Sequence, residues 1–200
     1  MKRFRITIIA ICIVLGWLGF SDLSILLRNS EPLDISISEL ETTGAPREWL
    51  RINKGYQDLQ QAINMSGTME IDSFLIPLKT TPSSGQIKIW FETREPNIIA
   101  ALKTYYFVLE TEAQQKKYLQ ENQQFFSDQH QVTGMIVGNT IADSNQQKLI
   151  KLLEGMNIPV TKDLIFISEG KKPAVWRGIF FTVIAIAGLV KTLLTFRKTG

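Results

Sequence analysis

Two long apolar runs bracket the chain, and the stretch between them alternates between apolar and polar positions. Ile6–Phe20 (ITIIAICIVLGWLGF) carries no charge, and Leu23–Leu27 resumes the run after Ser21–Asp22. The hydrocarbon layer of a bilayer takes about 20 helical residues. The pattern therefore predicts a membrane-spanning helix over residues 6–27. Gly178–Phe196 (GIFFTVIAIAGLVKTLLTF) is broken only by Lys191. It predicts a second spanning helix over residues 174–196, with Trp176 and Arg177 as interfacial anchors. Lys191 is close enough to the end of its run for its stem to carry the ammonium to the interface. An ion-pathway role for it would need an acidic partner at the same depth, whereas Asp22 falls near the opposite face. Small residues four apart, Cys12/Gly16 and Gly178/Thr182, would let two such helices approach closely. The rival reading of the first run is a cleaved signal peptide with a site at Gly19-Phe20-Ser21; bulky Trp17 and Phe20 weigh against it.

The middle of the chain predicts short strands and interspersed helices. Leu33–Ile37 alternates, as does Glu48–Ile52 in part, with Gly44-Ala45-Pro46 and Lys54-Gly55 as bounding turns. Met69–Leu78 and Gln86–Glu92, separated by a Thr/Pro/Ser/Gly loop, read as a hairpin. Pro77 points to an edge or a strand end. Pro96 opens a helix whose apolar residues Ile98, Ile99, Leu102, Tyr105 and Tyr106 follow helical spacing. Thr111-x-x-Gln114 and Ser144-x-x-Gln147 are capping boxes ahead of two more helices, the second carrying Leu149–Leu153 and closed by Gly155. Val132–Val137 is a strand in which Gly134 suggests a bend or bulge, and Lys162–Ser168 is the last strand. The expected fold class is α+β: a curved, mainly antiparallel sheet with about three helices, with partial closure into an OB-like barrel open to it.

Composition and charge narrow the class. Among 200 residues, 44% hydrophobic and 20% charged, a single cysteine excludes a disulfide framework, and the apolar content excludes disorder as the dominant state. The net charge of +3 sits entirely at the ends: Lys2, Arg3 and Arg5 before the first run, and Lys191, Arg197 and Lys198 in or after the second. From Arg28 to Arg177, both included, there are 16 basic and 18 acidic side chains. With no concentrated basic surface, nucleic-acid binding is not expected. The basic N-terminus places residues 1–5 and 197–200 in the cytoplasm and residues 28–173 outside it, as an extracytoplasmic domain of a cell-membrane protein. Lys171, Lys172 and Arg177 oppose this assignment, but long loops translocate largely regardless of charge.

The inventory of reactive groups is short. Cys12 lies inside an apolar run, and one histidine without accessible cysteines supplies no usual zinc ligand set. His130 would have to serve any Ser-His-Asp mechanism, yet it sits in a polar stretch and reads as a solvated loop residue. Glu92 with Glu95, and Glu70 with Asp72, are the available carboxylate pairs; alternation on a solvated strand face explains the second equally well. Asp143-Ser144-Asn145 is too sparse for a hard-cation loop. Neither phosphate-loop pattern is present, and Asn64-Met65-Ser66 formally matches a glycosylation sequon. Trp49, Trp90 and Phe91 read as core, and Phe125–Phe126 as the residues that close a helix onto the sheet.

No catalytic, cofactor or metal-ligating residue is assigned on these grounds, and no cofactor is expected. The expected function is non-enzymatic: a protein anchored in the lipid bilayer at both ends, whose outside domain binds a protein partner in assembly or envelope maintenance. A small-molecule or lipid-binding module is the alternative, and a carboxylate- or His130-dependent hydrolase the third reading.

Overall fold

A computed structural model of the chain describes residues 2–65, 72–83, 87–137, 150–155 and 163–197. The described elements begin with α1 (Lys2–Arg28), β1 (Leu33–Ser36), α2 (Ile37–Thr43), β2 (Trp49–Gln57), a 3-10 turn (Leu59–Gln61) and β3 (Ile63–Asn64). They continue with β4 (Phe74–Lys79), β5 (Ile89–Thr93), α3 (Pro96–Lys103), a π-helical turn (Thr104–Val108), α4 (Glu112–Glu121) and α5 (Gln123–Ser127). Then come β6 (Gln129–Ile136), a helix over residues 150–155 (α6), β7 (Ile165–Glu169) and α7 (Val175–Arg197). The chain forms two packed units, Pro32–Lys171 and the pair of terminal segments Met1–Glu31 and Lys172–Gly200.

The first of these units is a closed barrel. Its ring runs β2–β6–β7–β5–β4 and returns from β4 to β2, with β1 added alongside β2 and β3 alongside β4. The β1–β2 and β5–β7 pairings are parallel and the others antiparallel. Closure is thus complete where the sequence suggested partial closure. The joint that seals it is Tyr56↔Lys79 and Gln57↔Leu78. β2 reaches that joint by bending: its register with β6 shifts between Ile52 and Gly55, and Lys54 adopts a left-handed φ of 58°. A Cβ on Gly55 would collide with the Leu78 side chain. Lys54-Gly55, expected to be a turn ending a strand at Ile52, is therefore a bulge inside a nine-residue strand.

Two apolar layers explain why β4 and β5 read as nearly continuous hydrophobic runs. Their inward residues, among them Ile76, Leu78, Ile89 and Phe91, fill the barrel with Leu50, Val132 and Ile167. Their outward residues Leu75 and Trp90 are covered by Ile63, Leu153 of α6, Leu164 and Phe166. α3 and α5 pack Ile98, Leu102 and Phe126 into the inner layer, so Phe126 does close its helix onto the sheet.

Other expectations change for local reasons. The strand expected over Leu33–Ile37 ends at Ser36, whose side chain accepts the Glu39 N–H and starts α2, a helix the pattern reading missed. With α2 and the separate α5, the barrel unit has more helices than the three expected. Pro77 lies not on an edge but within the ring, between the stretch of β4 that pairs with β3 and the stretch that pairs with β2. Gly134 keeps regular register opposite Leu50 and Glu169, and the bulge falls on β2 instead. Its glycine is explained by close approach, because a Cβ there would overlap the Ser168 carbonyl. The hairpin of β4 and β5, the helix opening at Pro96 and the capping box at Thr111 all form as read. The Ser144-x-x-Gln147 cap lies outside the described residues.

The terminal unit is an antiparallel helix pair. Residues Ile6–Arg28 and Val175–Leu194 are long and apolar enough to cross a bilayer. Small residues line the contact: Gly16 faces Ala185, Gly19 faces Thr182, and Gly178 faces Asp22 and Leu23. Gly188 abuts Cys12, which is buried there. Thr182 and Thr192 donate their hydroxyls to carbonyls one turn back, so neither carries an unmet donor into an apolar setting. At one end the Arg177 guanidinium clasps Asp22 through two bonds of 2.7 and 2.8 Å. Arg177, expected to be a headgroup anchor, thus pairs with the carboxylate on the other helix.

Gly134→Ala should destabilise the barrel by about 1–3 kcal/mol, since backbone atoms have to yield. Gly155→Ala, where an added Cβ meets nothing within 4 Å, should be close to neutral. Thermal unfolding followed by circular dichroism would distinguish the two.

Candidate functional site

After α3, five apolar residues in succession, Tyr105–Leu109, exceed what one helical stripe can bury. The backbone responds by widening into the π turn, closed by the Leu109 N–H donating to the Thr104 carbonyl. Tyr105 turns inward and meets Phe126 edge-on at 5.6 Å. Tyr106 packs against Tyr105 at 4.8 Å and donates its hydroxyl to the Gln60 carbonyl at 2.7 Å. Burial, with Tyr105 and Asp58 nearby, pushes the Tyr106 phenol up to about 12, so it remains a donor at any physiological pH. Gln115 of α4 donates to the Tyr105 and Leu109 carbonyls and braces the turn from the other side.

Held between these supports, Phe107 and Val108 project outward, 61% and 65% exposed. Among the described residues of the barrel unit, the exposed large apolar side chains are Tyr106, Phe107, Val108 and Leu152, three of them consecutive on this turn. The three together form a small exposed apolar ridge on the barrel unit. Helical spacing from Pro96 carries only as far as Tyr106, and the overlong apolar run beyond it is the sequence signal of the ridge.

His130 does not lie in a solvated loop. It belongs to β6, stacks on Phe91 with ring centroids 5.6 Å apart, and bonds through Nε2 to Glu169 Oε1 at 2.8 Å. The alternation of β6 and β7 puts both side chains on the inner face, in line with Val132 and Ile167. The Glu169 bond raises the imidazole pKa above its ordinary 6.5; burial opposes the rise, and the charges of Glu169 and Glu95 add to it. Glu169 Oε2 is buried without a hydrogen-bond partner, which leaves the carboxylate dependent on His130. When the imidazole is protonated, the pair is a partly buried imidazolium–carboxylate bridge.

The remaining sequence candidates are dispersed. Glu92 bonds Arg94 at 3.2 Å on the outer face of β5, and Glu95 accepts from Asn97 at 3.2 Å. Of the other carboxylate pair only Asp72 is described; Glu70, Asp143-Ser144-Asn145 and Ser66 of the sequon lie outside the described residues. Among the described residues no three His, Cys, Asp or Glu side chains converge as a metal site. Comparison of the chain with protein-family models, with curated proteins and with solved structures finds no match.

A histidine whose folded pKa is raised contributes its full stabilisation below about 6.5 and loses it as pH climbs through the folded value. The gap in melting temperature between the native chain and His130→Gln should therefore be a few degrees at pH 5.5 and should narrow toward pH 9. A constant gap across that range would assign the histidine a packing role alone.

Proposed function

We propose that the chain is a two-span membrane protein that works by binding: its barrel unit stands outside the cytoplasm and takes a protein partner on the Tyr106–Val108 ridge. The observation that carries this reading is the ridge itself, apolar, outward-facing and braced by the Tyr106 and Gln115 hydrogen bonds. Covering Phe107 and Val108 is worth about 1.5–3 kcal/mol for each side chain, ample for two residues to dominate a modest interface. Glu110 and Glu112 follow the ridge closely in the chain, which disfavours an anionic lipid surface as its occupant.

The membrane topology draws support from the helix pair. Because α1 and α7 are antiparallel, the basic residues at the two ends of the chain belong to the same end of the pair, in keeping with a cytoplasmic location for both termini. We read the barrel as OB-like, on the strength of its five-strand ring and the helices inserted between its third and fourth strands. The outward face of β4 and β5, where OB barrels bind nucleic acids, is covered here by apolar residues of the chain itself, Leu153 and Leu164 among them. That covering supports a role other than nucleic-acid binding. Action through assembly or maintenance of membrane proteins fits a domain anchored at both ends, since tethering raises its effective concentration toward membrane neighbours.

A photo-crosslinking residue at position 107 should yield a discrete protein adduct in native membranes. Phe107→Asp with Val108→Asp should reduce recovery of that partner at least tenfold without lowering the melting temperature. Adducts to lipid alone, or recovery indifferent to the substitutions, would refute the reading. Protease added to the outside of intact cells should cleave the barrel unit and spare both termini.

A further inference from the structure

Where β2 runs into the 3-10 turn, the barrel unit has a cleft of about 380 Å³. Its floor is polar and closely held: Gln57 is 5% exposed, and Lys79, equally sequestered, donates to Asp58 Oδ2 at 2.6 Å. The Gln57 amide donates to the Phe125 carbonyl at 2.9 Å, which fixes its orientation and leaves Oε1 buried with no partner. A buried acceptor left unmet costs about 1–3 kcal/mol, and Gln57 lines the cleft, so a ligand hydroxyl that meets Oε1 on a small rotation of the side chain recovers part of that energy. Past Phe126 and Ser127 a second cleft of about 480 Å³ continues the first, lined by Leu119, Pro82, Gln120 and Gln123.

The lining narrows the ligand class. Lys79 and Asp58 neutralise one another, so the floor offers no net charge to an anion or to a metal ion. β2 and β4 are paired with one another at Gln57↔Leu78, leaving no strand edge there for an extended peptide. What remains is an array of neutral amides (Gln57, Gln60, Gln61, Gln120 and Gln123) beside a small apolar wall. A glutamine amide presents a donor and an acceptor side by side, which suits vicinal hydroxyls. A sugar ring combines a hydroxyl rim with an apolar face.

We propose that this cleft binds a short stretch of neutral carbohydrate, with hydroxyls donating to Gln57 Oε1 and the Asp58 carboxylate, and a ring face lying against Leu119 and Pro82. The site adjoins the ridge through the Tyr106–Gln60 bond but does not depend on the reading given to the ridge.

The test uses the full chain in lipid nanodiscs, free of glycoside detergents, with maltotriose, cellotriose, chitotriose and mannotriose as probes in saturation-transfer NMR. At least one should receive saturation. Gln57→Leu should weaken its binding at least tenfold, and Gln120→Ala with Gln123→Ala about threefold at an unchanged melting temperature. Phe107→Asp should leave it intact. Should Gln57→Leu fail to fold, the exposed double variant decides. The proposal is overturned if no probe receives saturation, if the signal ignores the substitutions, or if tetra-alanine binds in a substitution-sensitive manner while the sugars do not.

Discussion

Closure of the ring between β2 and β4 is the constraint on which the barrel unit depends. Only two residue pairs make that joint, and β2 reaches them because Lys54 and Gly55 let it bend while Leu78 lies against the glycine. Once the strands meet, Gln57 and Asp58 are delivered to the rim, Lys79 is brought under them, and the 3-10 turn is set in place. That turn in turn supplies the carbonyl that receives the Tyr106 hydroxyl. The polar cleft and the aromatic ridge thus trace to one short seam, although about 50 residues of chain separate Gln57 from Phe107.

Much of this was legible beforehand, and the exceptions share a cause. The two apolar helices, the hairpin, the proline-opened helix and the threonine cap are each encoded within a dozen consecutive residues, where local chemistry decides. Lys54-Gly55 reads as a turn because a bulge and a turn use the same residues, and only the pairing of β2 with both β6 and β4 distinguishes them. Pro77 signals an edge or strand end along the chain, whereas its missing N–H falls between two partner strands, a position that exists only in the assembled ring. Ser36-Ile37-Ser38-Glu39 shows the converse: it carries a capping signature, but alternation over Leu33–Ile37 masked it.

The functional surfaces were less legible still. His130 stands in a polar stretch, and its burial comes from Phe91 and Glu169, both distant in sequence. Five glutamines contributed by β2, the 3-10 turn, α4 and α5 form no motif along the chain. The ridge was visible as excess hydrophobicity, yet a pattern reading assigns surplus apolar residues to a core. Only the π turn, by breaking helical phase, shows that Phe107 and Val108 have no core to enter.

The clasp between Asp22 and Arg177 has a temporal side. Its partners are 155 residues apart, and the glycine face of α1 finds its complement only on α7. During synthesis α1 therefore precedes its complement by the full length of the barrel unit, and its carboxylate and close-packing surface meet their partners only once α7 has been made. The described barrel strands end at Glu169, ahead of α7, so the helix pair can close only after all of them have been made.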